Sequence, residues 1–341
     1  MNSIPRHQGK PILYLDQNIL DVFVKSGFGE FGCNLMDNYK IVYSDETLKE
    51  IKRSIGYENK FLAVLKELEA YHLEVVVEQP GFLITDQATI TDRDVFQAFE
   101  EYCQSQIEYE NVERAMQQWL LKFSGGRVGD TISDIHGEHL EAFSQLMDGM
   151  LNNAEEFPLE ISGQIAEYSK VMAEQFEVSL KQSEELMEVN IVDSKSWNGI
   201  KEFREALNIG PKELNNIKPP RVLEQIWKVY RDLKIYNNQR MEFEDFFQLK
   251  ENSIHPDRPY YKHQKITGIY NFLNTLGYYP DSNIHKEKRF VAAMSDNSHA
   301  AMASFCHLLL SRDNSFVKKV QAAYEHLNIP TIVKLVVIEN V

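Results

Sequence analysis

The apolar positions of this chain change their period twice. Near the amino end, Pro11-Ile-Leu-Tyr-Leu-Asp16 is a short continuous apolar run closed by an acid, and Lys40 to Tyr43 is a second such run. Runs this short, apolar at nearly every position, predict strands buried on both faces, as in a parallel sheet. A helix is predicted after the first, through about Lys25. Another follows the second, with Ser44 as its cap and Asp45 and Glu46 in its first turn. Leu73 to Val77 predicts a third strand. From about Phe82 to Tyr279 the spacing turns helical, in Val95 to Phe123, Leu140 to Leu151, Ile161 to Val189, Pro220 to Leu233 and Ile266 to Leu276. Strand character returns only at the end: a short helix from Asp296 to about Phe305, a strand from Cys306 to Leu310, a helix from Ser315 to Leu327, and a β-branched strand from Thr331 to Ile338.

Strands and helices alternating at both ends predict an α/β fold with one parallel sheet and right-handed crossovers. The expected core is discontinuous, residues 1–80 and 285–341, and residues 81–284 are expected to form a mostly helical insertion that caps or flanks the sheet. There is no internal repeat and no low-complexity tract.

Composition narrows the setting. Hydrophobic residues make up 43% of the 341, enough for a substantial core. Cys33, Cys103 and Cys306 form no CxxC pair and leave an odd count, which excludes a disulfide framework or zinc ribbon and points to a reducing cytoplasm. The amino end lacks a basic segment followed by a long apolar run. The apolar stretch near the carboxyl end is short and interrupted by Lys334, so a soluble, unanchored protein is expected. A net charge of −15 disfavours a nucleic-acid partner unless basic residues cluster locally or a divalent cation supplies positive charge at the phosphate.

Four acids carry the candidate chemistry. Asp16 closes the first strand, Glu50 lies in Ser44-Asp-Glu-Thr-Leu-Lys-Glu50-Ile51, Asp296 opens Asp296-Asn-Ser-His299-Ala-Ala-Met-Ala303, and Asp313 follows Leu308-Leu-Leu-Ser311-Arg312. In an open α/β sheet such positions converge on one crevice. Four carboxylates there repel unless a cation holds them, and hard oxygen ligands favour Mg²⁺ or Mn²⁺. Asp16 and Asp313 are expected as metal ligands, with Glu50 and Asp296 completing the set or orienting a water. Asn18 and Ser311 are candidate donors to a phosphate or metal-bound water. His299, three residues beyond Asp296 on one helical face, is read as a structural histidine that can also touch substrate.

These positions resemble the PIN-like superfamily of metal-dependent nucleases. The resemblance rests on Leu15-Asp16-Gln17-Asn18, the Ser44 to Glu50-Ile51 spacing, Asp296-x-x-His-Ala-Ala-x-Ala303, the Leu310-Ser311-Arg312-Asp313-Asn-x-Phe316 turn, and Leu327-Asn-Ile-Pro-Thr331. It covers roughly residues 10–80 and 285–341. It implies hydrolysis of RNA, with a 5′-phosphate and a 3′-hydroxyl as products. Two other functions fit parts of the pattern. A protein-binding role on a PIN-like scaffold would use the helical insertion as its surface. A haloacid-dehalogenase-like phosphatase also begins with a strand-end Asp, but needs a second Asp where this chain has Asn18.

Three further motifs lie inside the expected insertion. Arg258-Pro-Tyr260-Tyr261-Lys262-His263-Gln-Lys265 interleaves bases with aromatics, as a surface contacting single-stranded RNA does, and reads equally as the start of a helix packing its tyrosines. Asp134-x-His136-x-Glu138-His139 lacks the i, i+4 histidine pair of a zinc helix and is expected to be a polar loop. Ser124-Gly-Gly-Arg127-Val-Gly129 lacks the Lys and Ser/Thr of a P-loop and is expected to be a flexible linker.

Overall fold

Ile12 to Leu15 are buried on both faces, and this run forms β1 (Ile12–Leu15), a central strand of a six-stranded sheet. The computed structural model describes residues 9–78, 83–105, 110–154, 159–239, 241–250 and 260–337. After β1 come α1 (Gln17–Ser26), α2 (Gly29–Asn38), β2 (Lys40–Tyr43), α3 (Asp45–Arg53), α4 (Glu58–Glu67), β3 (Tyr71–Glu78), β4 (Leu83–Thr91) and α5 (Val95–Ser105). The helices α6 (Glu110–Phe123), α7 (Ile132–Ala154), α8 (Leu159–Asn190) and α9 (Gly199–Leu207) follow. Next are α10 (Pro211–Leu214), α11 (Val222–Arg231), α12 (Lys234–Gln239), α13 (Phe243–Phe246) and α14 (Lys262–Leu276). The chain closes with α15 (Glu287–Ala303), β5 (Leu308–Ser311), α16 (Asn314–Leu327) and β6 (Ile332–Leu335).

The strand order is β4-β3-β2-β1-β5-β6. From β1 the chain builds outward on one side through β2 and β3, and later returns to build β5 and β6 on the other. The gap between the carboxyl ends of β1 and β5 is therefore the point where the order reverses, where open sheets bind ligands. Registers of Leu13 with Ile41 and with Leu308 bring those ends level.

All pairings are parallel except one, which corrects the expected wholly parallel sheet. β4 runs antiparallel to β3 at the sheet edge, within a stretch expected to be helical. Its Thr-rich alternation explains this, since Ala88 and Ile90 pack on the core while Gln87 and Thr89 stand more open to solvent. A second correction concerns α15, which starts at Glu287, so Asp296 is interior to a helix and caps nothing.

The chain divides into two compact units. The first comprises Met1–Tyr102, Leu207–Asp281 and Ala292–Val341, and the second comprises Cys103–Ala206 and Ser282–Val291. The expected insertion of residues 81–284 is thus not one body. Part of it belongs to the sheet-bearing unit because α14 supplies Ile266 and Tyr270 to a core shared with Tyr14, Leu73, Ala300, Phe316 and Val320. In the second unit, α7 packs on α6 and α8, and Trp119, Phe123 and Trp197 form an aromatic group.

The Asp134 to His139 segment lies in α7 rather than a loop. His136 and His139 are buried there, with His139 Nε2 2.5 Å from the Ala115 carbonyl. The Ser124 to Gly129 stretch is an ordered turn: Arg127 bonds both oxygens of Glu138, and the Lys122 ammonium donates to the carbonyls of Arg127 and Lys195. Gly126 is required there, because a Cβ would stand 2.5 Å from a Leu121 methyl. Among the described residues no helix is long and apolar enough to cross a membrane.

Candidate metal centre

Asp16 ends β1, and its backbone N–H donates to the Leu310 carbonyl at 3.1 Å, tying it to β5. Its side chain is 3% exposed. One carboxylate oxygen, Oδ2, accepts from Ser311 Oγ at 2.5 Å and from Asn18 Nδ2 at 2.5 Å. Asn18 also accepts from the Arg312 N–H and donates to Ser311, so these two residues, expected as donors to a phosphate or a metal-bound water, here brace Asp16. Burial pushes the Asp16 carboxyl up to about 6, against the pull of His299 and Ser311, with Glu50 and Asp313 adding to the rise.

Glu50 comes from α3, whose start at Ser44 matches the expectation: Ser44 and Thr47 form a reciprocal cap. His299 Nε2 stands 3.0 Å from Glu50 Oε2, and Nδ1 stands 2.7 Å from the Tyr14 hydroxyl. Tyr14 is 2.7 Å from Ser44 Oγ, so strand, cap and helix are joined through one fully buried ring. Burial opposes protonation of His299, yet Tyr14 and Glu50 outweigh it and hold the imidazole well above its usual range. Burial likewise raises Glu50, but His299 and Arg53 outweigh it and hold the carboxyl low. When protonated, this imidazole is the buried counter-charge of Glu50. Arg53 lies 3.4 Å from Glu50 Oε1 and also bonds Ser295, which bonds Glu46.

Among the described residues, one group of ligating side chains could hold a metal: atoms of Asp16, Glu50 and His299, all within 4.8 Å of one another. Both ring nitrogens of His299 already face oxygen partners, so the histidine positions Glu50, and the hard-oxygen donors are the two carboxylates. Asp296 is half-buried nearby. Burial first, then Asp16, Asp281 and Glu50, raise it well above the usual carboxylate range. Asp313 is exposed and accepts from the Phe316 N–H at 3.0 Å, capping α16, while its charge still reaches Asp16. Asp16 and Glu50 are therefore brought together, and Asp296 and Asp313 stand within electrostatic range of them.

Sequence reasoning missed the second layer of this site. Lys319 is fully buried, 2.6 Å from Asp281 Oδ1 and 2.8 Å from Asn274 Oδ1, with its ammonium 4.3 Å from the Tyr270 ring centroid. The buried Tyr270 hydroxyl has no hydrogen-bond partner among the described residues and feels Asp296, Asp281, Asp313 and Asp16. Such an orphaned donor beside acids that resist ionisation fits a site completed by a hydrated cation. Nothing local in the sequence marks Lys319, because its partner is 38 residues away. Lys319→Met should cost about 3–5 kcal/mol by stranding the Asp281 charge. Adding Asp281→Asn should recover much of it. Urea unfolding of the single and double variants checks this, and an unaffected single variant would show Asp281 to be solvated.

Of the residues expected to contact substrate, Tyr260, Tyr261, Lys262 and Lys265 are half-buried at the start of α14, while Arg258 lies outside the described residues. Tyr261 stacks on His263 with ring centroids 5.8 Å apart, and the Lys262 N–H donates to Asp86 on β4. No protein-family model matches the chain, and neither a curated protein nor a solved structure does.

Proposed function

We propose that the chain is a metal-dependent nuclease of the PIN-like kind, acting on single-stranded RNA with Mg²⁺ or Mn²⁺. The observation that carries this reading is the meeting of Asp16, Glu50 and His299 within 4.8 Å beside the point where the strand order reverses. The PIN-like part rests on the order of the Asp296 helix, β5, the Asp313 turn, α16 and β6. Bound there, the ion would polarise a phosphate oxygen and lower the pKa of an attacking water.

The chain's own part is to hold and orient. Asp16 and Glu50 offer oxygens to the ion. Ser311 and Asn18 restrict the Asp16 carboxylate, and His299 restricts Glu50, so little reorganisation remains when substrate arrives. Asp313 adds negative charge, Asp296 would add its own on ionising beside a divalent cation, and the unpartnered Tyr270 hydroxyl would be free to meet a water of that ion. Arg53, a third exposed beside Glu50, supplies positive charge for a substrate phosphate. Lys262 and Lys265 are the corresponding contacts on α14.

The test is cleavage of a labelled single-stranded RNA by purified protein. Cleavage is expected with Mn²⁺ or Mg²⁺ and none with excess chelator. Undiminished cleavage in chelator, or none with either metal, would refute the reading.

A further inference from the structure

A cavity of about 470 Å³ adjoins the acidic centre and plays no part in it so far. Its apolar wall is Leu73, Val75 and Val77 of β3, with Ala301 and Met302 of α15 opposite. Its rim carries Asp45 and Glu46 from the first turn of α3 and His263 from the first turn of α14. Two of these helices also build the centre. Glu46 precedes Glu50 by four residues, about 6 Å along the axis, and α15 presents Ala301 and Met302 to the cavity while presenting His299 to Glu50. The cavity is therefore placed to receive a group attached next to whatever occupies the centre.

Its chemistry is selective. Apolar walls of a strand and a helix suit an aromatic ring, and a rim of carboxylates favours a ring that presents N–H donors and no phosphate. His263 Nδ1 is buried and makes no close hydrogen bond, with Asp86 Oδ1 3.7 Å away as its ion-pair neighbour. The nitrogen therefore keeps a hydrogen-bonding position that a ligand edge can take. Guanine meets both demands. Its N1–H and N2–H lie side by side, so one carboxylate can accept both, and its O6 and N7 can accept from a histidine N–H. Uracil presents one N–H between two carbonyls, which a carboxylate repels.

We propose that this cavity is a guanine-binding subsite, taking an unpaired base beside the phosphate held at the acidic centre. That placement rests on the nuclease reading above, whereas recognition of the base does not. Glu46 is the acceptor, Met302 and Val75 enclose the ring, and His263 meets its other edge.

The experiment is calorimetric titration of the full chain with guanosine, adenosine, cytidine and uridine in excess chelator, so that neither metal nor cleavage enters the readout. Guanosine should bind at least about tenfold more tightly than uridine. Glu46→Gln should weaken guanosine about tenfold, the loss of one charged hydrogen-bond acceptor. Met302→Trp, which fills the cavity, should abolish binding; if that variant does not fold, Glu46→Gln decides. Equal affinity for all four nucleosides, no binding of guanosine, or no effect of Glu46→Gln would overturn the proposal. Guanosine binding without metal-dependent cleavage would leave the subsite standing and remove the nuclease. Cleavage without guanosine binding would do the reverse.

Discussion

Asp16→Asn is expected to make the metal-free protein more stable while removing the metal-dependent cleavage of RNA proposed above. The stability effect follows from the raised carboxyl. A group at about 6 in the folded state and 3.8 in the unfolded chain contributes stability that is fully present below pH 4 and lost as pH rises through 6. Above that window its charge costs the folded protein about 3 kcal/mol, since each pKa unit is about 1.4 kcal/mol. Asparagine removes the charge and keeps an oxygen to accept from Ser311. Thermal unfolding in chelator should therefore favour the variant at pH 8, with the difference vanishing below about pH 4. Cleavage should fall on the order of a hundredfold or more, because the ion loses a ligand. Manganese should stabilise the wild type and do little for the variant. A variant less stable than wild type at pH 8 would mean that Asp16 is held as a structural acceptor for Ser311 and Asn18.

The opposite sign is expected at His299. Its ring is fully buried, and His299→Leu would leave Glu50, 15% exposed, with only the longer contact to Arg53. Breaking a buried ion pair from one side costs about 3–5 kcal/mol. Because the folded imidazole lies above its usual value of 6.5, its contribution is complete below pH 6.5 and is lost as pH rises through the folded value. The Glu50 carboxyl is depressed, so its part is present above 4.5 and lost in acid. The gap between wild type and variant should thus be widest between the usual carboxylate value of 4.5 and the usual imidazole value of 6.5, and narrow as pH rises through the folded value of His299. Added Mn²⁺ should restore the variant more than it stabilises the wild type, since the ion replaces the missing cation beside Glu50. A pH-independent gap would identify His299 as a packing residue, and equal metal shifts would remove Glu50 from the ligand set.

Much of this protein is written locally. The strands Ile12–Leu15 and Lys40–Tyr43 were legible because a short run of apolar residues has no other way to bury every side chain. The place of Asp16 was legible because a residue closing such a strand lands at the sheet's carboxyl end, beside the point where the strand order reverses. The α3 start at Ser44 was legible because capping depends only on neighbours in sequence.

Other features depend on chain segments that meet only after folding. β4 is an edge strand whose alternating polar positions gain meaning from pairing with β3. The start of α15 at Glu287 escaped because Glu287, Lys288 and Arg289 carry no apolar period, and so the role of Asp296 shifted from cap to interior acid. The bridges from His299 to Glu50 and Tyr14 span 249 and 285 residues, and the pairing of Lys319 with Asp281 spans 38. Periodicity and capping are set within a few residues, so the sequence by itself determined the buried parallel strands and the place of Asp16 at the end of one. Which charges neutralise one another, and which acid stands buried, was decided by the tertiary structure, because desolvation and ion pairing depend on what packs across the sheet.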